Sequence, residues 1–141
     1  LNGVNVAMGQ RGYNLAAFTP EGAWIESALF DTFAADKESV RMAAWISALP
    51  AGTLVAGAVA DEASVHLTQE AVDALVSLGV ATDLRDDFRW SHAFVGAVGA
   101  PPATALEEAS ILRPAGIWLG APVDAPAIFG ALGKITLQRG H

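Results

Sequence analysis

Charged side chains are scarce in this sequence, and three of the places where they occur have the composition of a binding site. Charged residues make up 16% of the chain. Arg11 lies in a turn bordered by glycine, Asp61 follows an apolar segment, and Arg89 precedes another. Guanidinium and carboxylate groups make strong, charge-assisted hydrogen bonds with polar groups such as sugar hydroxyls. Two arginines, an aspartate and nearby aromatic rings therefore favour sugar binding, although each residue alone would be interpreted as part of a solvated turn or loop.

The segment "LRDDFRWSH" (84–92) concentrates this chemistry directly before the apolar run "AFVGAV". Phe88 and Trp90, on either side of Arg89, are candidates for stacking on the apolar face of a sugar ring. One of these rings could instead anchor the loop in the core. Residues 85–87 are interpreted as a solvated, charged approach to the following strand, and the role of His92 is left open.

Other kinds of chemistry find little support. The motifs of serine hydrolases, P-loop NTPases, zinc peptidases and dinucleotide-binding folds do not occur, so we assign no catalytic residue and predict no cofactor. Without cysteine there are no disulfides or thiolate ligands, and the three histidines are too scattered to predict a metal site. A glycosidase-like enzyme is the third interpretation, since a carboxylate pair could come from Asp61, Glu62, Asp86 and Asp87.

The bulk charge argues against two classes of partner. A net charge of −7 repels nucleic acid and anionic membrane surfaces. No apolar run reaches the roughly 18 residues of a membrane-spanning helix, and no signal peptide is visible, so we predict no membrane insertion. Because the sequence begins at Leu1, we expect a processed protein or a domain of a longer chain.

Turn residues and apolar patterns predict the elements that position these side chains. Two helices are indicated, at 37–49 with Asp36 as the N-cap, and at 69–78 with Thr68 as the N-cap and Gly79 at the end. Strands are indicated between glycine- and proline-containing turns and in continuous apolar runs: 4–8, 13–18, 23–30, 53–59 and 93–98.

Two further segments, at 116–122 and 133–138, are predicted to be strands of a meander or an added hairpin. Together the elements predict an α+β fold: one compact domain of mostly antiparallel small sheets, sandwich-like, with two amphipathic helices.

The order of these pieces resembles the interleukin-like EMT inducer domain, also called the GG or PANDER-like domain. Three segments carry the resemblance: "GQRGYNLAAFTPEGAWIESALFDTFA" (9–34), "WISALPAGTLVAGAVADEASVHLTQEAVDALVSLG" (45–79) and "FRWSHAFVGAVG" (88–99). That domain occurs in secreted cytokine-like proteins, in bacterial proteins and as the stem of the N-acetylglucosaminyltransferase that extends O-mannosyl glycans. The resemblance implies two small antiparallel sheets with short helices, and it favours an extracellular or cell-surface location.

In the glycosyltransferase stem this domain binds a β-linked N-acetylglucosamine. The resemblance places the contacting residues at Arg11, Asp61 and Arg89, with an aromatic residue at Phe88. Where the family continues its arginine with Asp-x-Trp, this chain has Trp90, Ser91 and His92. The framework cysteines of the cytokine-like members and a lysine after the last core strand are missing as well.

The resemblance divides the chain at residue 110. We expect residues 1–110 to form the interleukin-like EMT inducer-like domain, and residues 111–141 to form an extension whose extra strands pack on it. The first functional hypothesis is a non-catalytic carbohydrate-binding domain that uses Arg11, Asp61 and Arg89, with Phe88 and Trp90 nearby. The alternative is a protein-interaction or signalling module, with a partner or a second copy bound through residues 111–141. Its contact patch would be apolar: Ile117, Trp118, Leu119 and Phe129.

Overall fold

The structure, a computed structural model, describes residues 4–119 and 136–137. Its elements follow in chain order: β1 (Gly12–Phe18), β2 (Trp24–Phe30), α1 (Asp36–Ala48), β3 (Leu54–Ala60), α2 (Gln69–Val76), β4 (Ser91–Ala97), β5 (Leu106–Ser110), β6 (Trp118–Leu119) and β7 (Thr136–Leu137). Strands β1 to β5 form one sheet in the order β2-β1-β3-β4-β5, with every neighbouring pair antiparallel. The α+β class with its antiparallel sheet and two helices is confirmed.

Both helices cover one face of the five-stranded sheet. Tyr13, Leu15, Val55 and Phe94 project from that face into a cluster that also contains Met42 and Ile46 of α1 and Leu75 of α2. Strand side chains alternate between faces, so every second residue of β1, β3 and β4 contributes to this core. Gly57 of β3 lies beneath the Phe94 ring, since an added Cβ would come within 2.2 Å of it.

The opposite face of the sheet carries smaller side chains. Ala16, Phe18, Ala56 and Val95 form its buried cluster, and Val6 and Ile117 pack against them. Segments from before β1 and after β5 therefore lie over this face, because a sheet buries its apolar faces against other parts of the chain.

Two predictions about elements were wrong, and one strand was missed. Residues 4–8 form no strand, because both sides of β1 are already paired, with β2 and with β3. Strand β5, whose sequence LEEAS has little of the β-branched or aromatic character of strands, was not predicted. Strands β6 and β7 pair in parallel, so they form no hairpin.

The helix caps also differ from expectation. α1 begins at Asp36 itself with Ala35 as its N-cap. The Asp36 carboxylate instead accepts a hydrogen bond from His66 Nδ1 at 2.7 Å. Thr68 is the N-cap of α2, as predicted, but its hydroxyl makes no capping bond. Gly79 adopts φ +89° just beyond α2, and its N–H donates to the Val76 carbonyl. Within residues 4–119 and 136–137, no helix has both the length and the apolar character needed to cross a membrane.

Candidate functional site

Four charged residues of alternating sign lie along one end of the five-stranded sheet. Gly12 pairs with Ala60, so Arg11, which precedes β1, lies opposite Asp61, which follows β3. Antiparallel pairing brings the end of β2 and the start of β4 to the same side. In the strand order β2-β1-β3-β4 the residues are Asp31, Arg11, Asp61 and Arg89, which we call the charged row.

The pair formed by Arg11 and Asp31 is the tighter half of the charged row. Arg11 donates from Nε to both carboxylate oxygens, at 3.0 and 3.2 Å, and from Nη2 to Oδ2 at 2.8 Å. The guanidinium also lies over the Phe33 ring, 4.3 Å from its centroid. The hydrogen bond with Asp31 raises the pKa of Arg11 and lowers the pKa of Asp31. Arg11 is thus held in one orientation by a fork of hydrogen bonds and an aromatic face.

The pair formed by Arg89 and Asp61 is looser. An Nη2–Oδ1 distance of 3.8 Å exceeds a hydrogen bond, and the two side chains are 67% and 57% exposed. The charge of Asp61 also contributes to the raised pKa of Arg11, so this carboxylate is felt by both guanidiniums. The three residues predicted from the sequence therefore meet at one end of the sheet. Asp31 was missed as the partner of Arg11, although it lies in the Phe-Asp-Thr segment that carried part of the resemblance.

Backbone conformations at two of these residues are unusual. Asp61 and Arg89 have φ of 59° and 60°, in the left-handed region that L-residues adopt at a cost of about 1–2 kcal/mol. The Glu62 N–H donates to the Ala60 carbonyl at 2.8 Å and closes a three-residue γ-turn around Asp61. With a positive φ at its centre, this is the rarer and more strained form of that turn. Strained backbone of this kind is often found at functional sites.

The turns that carry the two aspartates are tied to each other. Asp31 is also at the centre of a γ-turn, closed by the Thr32 N–H and the Phe30 carbonyl at 2.9 Å. The buried Thr32 hydroxyl donates to the Ala63 carbonyl at 2.7 Å, and the His66 N–H donates to the Thr32 carbonyl at 2.8 Å. These bonds fix the spacing of the two carboxylates.

The two aromatic candidates have different environments. Phe88 is 56% exposed, and the Arg89 guanidinium lies 5.7 Å from the centroid of its ring. Trp90 is partly buried and packs against the main core cluster. The ring available at the surface beside the charged row is therefore that of Phe88, whereas Trp90 anchors the loop.

Glu62 and His92 have structural surroundings. Glu62 is buried, and its two carboxylate oxygens accept hydrogen bonds from the backbone N–H groups of Ser64 and Arg89, both at 2.5 Å. It is turned away from the surface on which a glycosidase carboxylate would have to act. His92 is buried in the core, with Nδ1 3.2 Å from the Tyr13 hydroxyl and Nε2 3.2 Å from Glu107 Oε2.

The hydrogen bond from His92 lowers the pKa of Glu107 to about 2, helped by the N–H groups of Ala81 and Thr82. Burial raises the pKa of the Tyr13 hydroxyl. His92 is therefore a core residue of a buried polar network. Within the described residues, no group of three or more histidine and acidic side chains could hold a metal ion.

Comparison with known proteins bears on the family resemblance found in the sequence. The family model of the interleukin-like EMT inducer matches residues 11–100, a range that contains the whole charged row and Phe88. The human cell migration-inducing and hyaluronan-binding protein is 34% identical over 97 residues, which cover 68% of this chain and 7% of that protein. Its mouse counterpart is 34% identical over 83 residues, covering 59% of this chain and 6% of that protein. The chain thus spans a small part of these curated relatives, and the resemblance found in the sequence is confirmed.

Proposed function

The chain belongs to the interleukin-like EMT inducer family, and on that premise we propose that it is a non-catalytic carbohydrate-binding domain whose site is the charged row. The carrying observation is that Arg11, Asp61 and Arg89, distant in sequence, lie side by side at one end of the sheet. A glycan ligand would place the domain outside the cell or at its surface.

The charged row offers both donors and an acceptor to sugar hydroxyls. Asp31 engages Nε and Nη2 of Arg11, so the remaining Nη1 group can donate to a ligand. Asp61 lies beyond hydrogen-bond distance of Arg89, so its oxygens can accept from a ligand. The exposed ring of Phe88 supplies an apolar face. A hydroxyl-rich ring with one apolar side matches this set.

Charge pairing distinguishes the classes of glycan that the site would bind. All five arginines within residues 4–119 lie within 4.0 Å of a carboxylate: Arg11, Arg41, Arg85, Arg89 and Arg113. The net charge of the chain is −7. A site for a polyanion needs unpaired cations and weakens steeply with salt, as the counterion-release behaviour of nucleic-acid binding shows. Because both arginines of the charged row are paired, we propose that this site recognises an uncharged sugar unit, even though relatives are named for binding hyaluronan, a polyanionic glycan.

The proposal is tested by titrating the whole chain with methyl β-N-acetylglucosaminide and with hyaluronan oligosaccharides, with backbone amide shifts followed by NMR. We expect a dissociation constant of about millimolar to micromolar for the neutral glycoside, little changed by added salt. Arg89→Ala should weaken binding about tenfold or more. Arg85→Ala is the matched control, because Arg85 lies in the same loop and pairs with Asp83. The absence of shifts around residues 11, 61 and 89, or an unchanged affinity of Arg89→Ala, would overturn the proposal.

The second candidate function, a protein-interaction module, has one specific observation in its favour. Leu112 is 92% exposed, next to the exposed Ile111, in a loop whose Ser110 and Arg113 carbonyls both lie 2.7 Å from Ser91 Oγ, and the Ser91 hydroxyl can donate to either of them. Of the patch predicted from the sequence, Ile117 packs on the sheet, and the side chains of Trp118, Leu119 and Phe129 lie outside the described residues. Concentration-dependent association lost in Leu112→Ser would favour this candidate.

A further inference from the structure

A buried carboxylate lies directly beneath the charged row. Glu62 is only 2% exposed, and an ionised group removed from water is costly unless its hydrogen-bonding capacity is satisfied. Within residues 4–119 it has no cationic partner. Its oxygens instead accept from two backbone N–H groups, those of Ser64 and Arg89. Hydrogen bonds to a charged acceptor are about twice as strong as neutral ones, so Glu62 fixes the backbone that it touches.

The two segments that Glu62 joins are the ones that carry the ligand-binding residues. Asp61 is its immediate neighbour, at the centre of the γ-turn that the Glu62 N–H closes. The N–H that it accepts from Arg89 belongs to a loop 27 residues further along the chain. Asp61 and Arg89 both have the left-handed backbone conformation. A strained conformation persists only where its surroundings over-determine it, and these hydrogen bonds do so.

We propose that Glu62 is the positioning residue of the sugar site: it holds Asp61 and Arg89 in their left-handed conformations and so keeps the carboxylate and the guanidinium facing a common ligand. The inference rests on the proposed function. It also assigns Glu62 a role different from catalysis, since no reacting group can reach an oxygen that is buried under backbone N–H groups.

Glu62→Gln separates this role from bulk stabilisation. Glutamine has the same shape, but one of its two terminal atoms is an NH2 group that cannot accept from an N–H. One of the Ser64 and Arg89 N–H groups then faces a donor, and the loop before β4 is released. We expect about a tenfold or greater loss of affinity for methyl β-N-acetylglucosaminide, with the side chains of Arg11, Asp61 and Arg89 all intact.

Glu107→Gln is the matched control. Glu107 also accepts from two backbone N–H groups of a loop, those of Ala81 and Thr82, but it lies on β5, away from the charged row. Both substitutions should lower the thermal midpoint. Only Glu62→Gln should lower the affinity measured at a temperature where each variant is fully folded. Equal affinities for the two variants would show that Glu62 is merely structural.

A second readout does not depend on the sugar. In the wild-type chain the Arg89 amide proton should be shifted downfield and protected from hydrogen exchange, despite the exposure of its side chain. In Glu62→Gln the shift, the protection and the three-bond HN–Hα coupling of Arg89 should change, and in Glu107→Gln they should not. An unprotected Arg89 amide in the wild type overturns the proposal even if the variants fail to fold. Failure of the wild type to bind the glycoside, with these signatures present, overturns the proposed function alone.

Discussion

The two ends of the five-stranded sheet place different residues in left-handed conformations. At the end opposite the charged row, the turns between strands use Gly22, Gly52 and Gly99, with φ of +87°, +83° and +85°. Glycine adopts these angles at no steric cost. At the charged-row end Gly12 also has a positive φ, but so do the two charged residues Asp61 and Arg89. Glycine therefore provides most of these angles at the opposite end, where Ala103 with φ of 60° is the exception, whereas at the charged-row end two charged residues of the site carry the strain.

At the charged-row end, Gly12 must be glycine for two reasons: its positive φ and the lack of space for a Cβ atom. Its φ is +99°, and an added Cβ would lie 2.2 Å from the Phe30 carbonyl oxygen. This close approach of β1 to the end of β2 is what brings Arg11 beside Asp31.

Gly12→Ala should therefore have the largest effect of the substitutions considered. We expect a loss of about 3 kcal/mol or more in the free energy of unfolding, because strands β1 and β2 must separate. Gly22→Ala, at a similar angle but with no atom within 4 Å of the added Cβ, should cost only about 1 kcal/mol. Denaturant unfolding of both variants measures the difference. Equal losses would mean that the angle alone matters and that the two ends do not differ in this respect.

Acid stability should separate the looser pair of the charged row from Glu107, which is partly buried between β4 and the loop before it. The pKa of Glu107 is about 2 in the folded chain, against 4.5 for an unperturbed group. A depressed acidic pKa stabilises the fold above its unfolded value, so this contribution is present above pH 4.5 and is lost as the pH falls from 4.5 towards 2. We expect a loss of about 2 kcal/mol over that range, after an allowance for partial solvent screening.

Glu107→Gln should flatten this part of the curve of unfolding free energy against pH. Asp61→Asn, at the exposed and looser pair of the charged row, should leave it nearly unchanged. If Asp61→Asn flattened the curve as much as Glu107→Gln, the charged row would be a stabilising cluster rather than a surface available to a ligand.

Three residues of the charged row could be predicted from the sequence, whereas Asp31 and Glu62 could not, for physical reasons. Arg11, Asp61 and Arg89 stand at the ends of predicted strands, and the family resemblance grouped them. The partnership of Arg11 with Asp31 depends on the pairing of β1 with β2, which brings the residue before β1 beside the residue after β2, and no local pattern encodes this. Glu62 looks like any charged loop residue in the sequence. Its burial follows from a contact with the backbone of Arg89, and a backbone N–H carries no sequence signal.

The burial of His92 also could not be predicted from the sequence. The sequence left the role of this histidine, which follows an arginine and two aromatic residues, open. Its place on β4 turns the ring into the core, between Tyr13 and Glu107. Strand alternation decides this, and alternation is informative only once the first residue of the strand is known.

Glycine substitutions at Asp61 and Arg89 should change the free energy of unfolding least, and they test the comparison between the two ends of the sheet most directly. Arg89→Gly and Asp61→Gly remove the side chain but keep, and relax, the left-handed backbone. Relief of about 1–2 kcal/mol of strain, offset by about 0.5–1 kcal/mol of glycine entropy, should leave each variant slightly more stable, by about 0.5 kcal/mol.

Ala103→Gly is the matched control, because Ala103 has φ of 60° in the exposed turn between β4 and β5 at the opposite end. All three variants should show the same small gain in unfolding free energy. Binding of methyl β-N-acetylglucosaminide should be lost in Arg89→Gly and Asp61→Gly and kept in Ala103→Gly. If Arg89→Gly were instead less stable by 1 kcal/mol or more, the arginine would serve the fold, and the strain at the charged-row end would need no ligand to explain it.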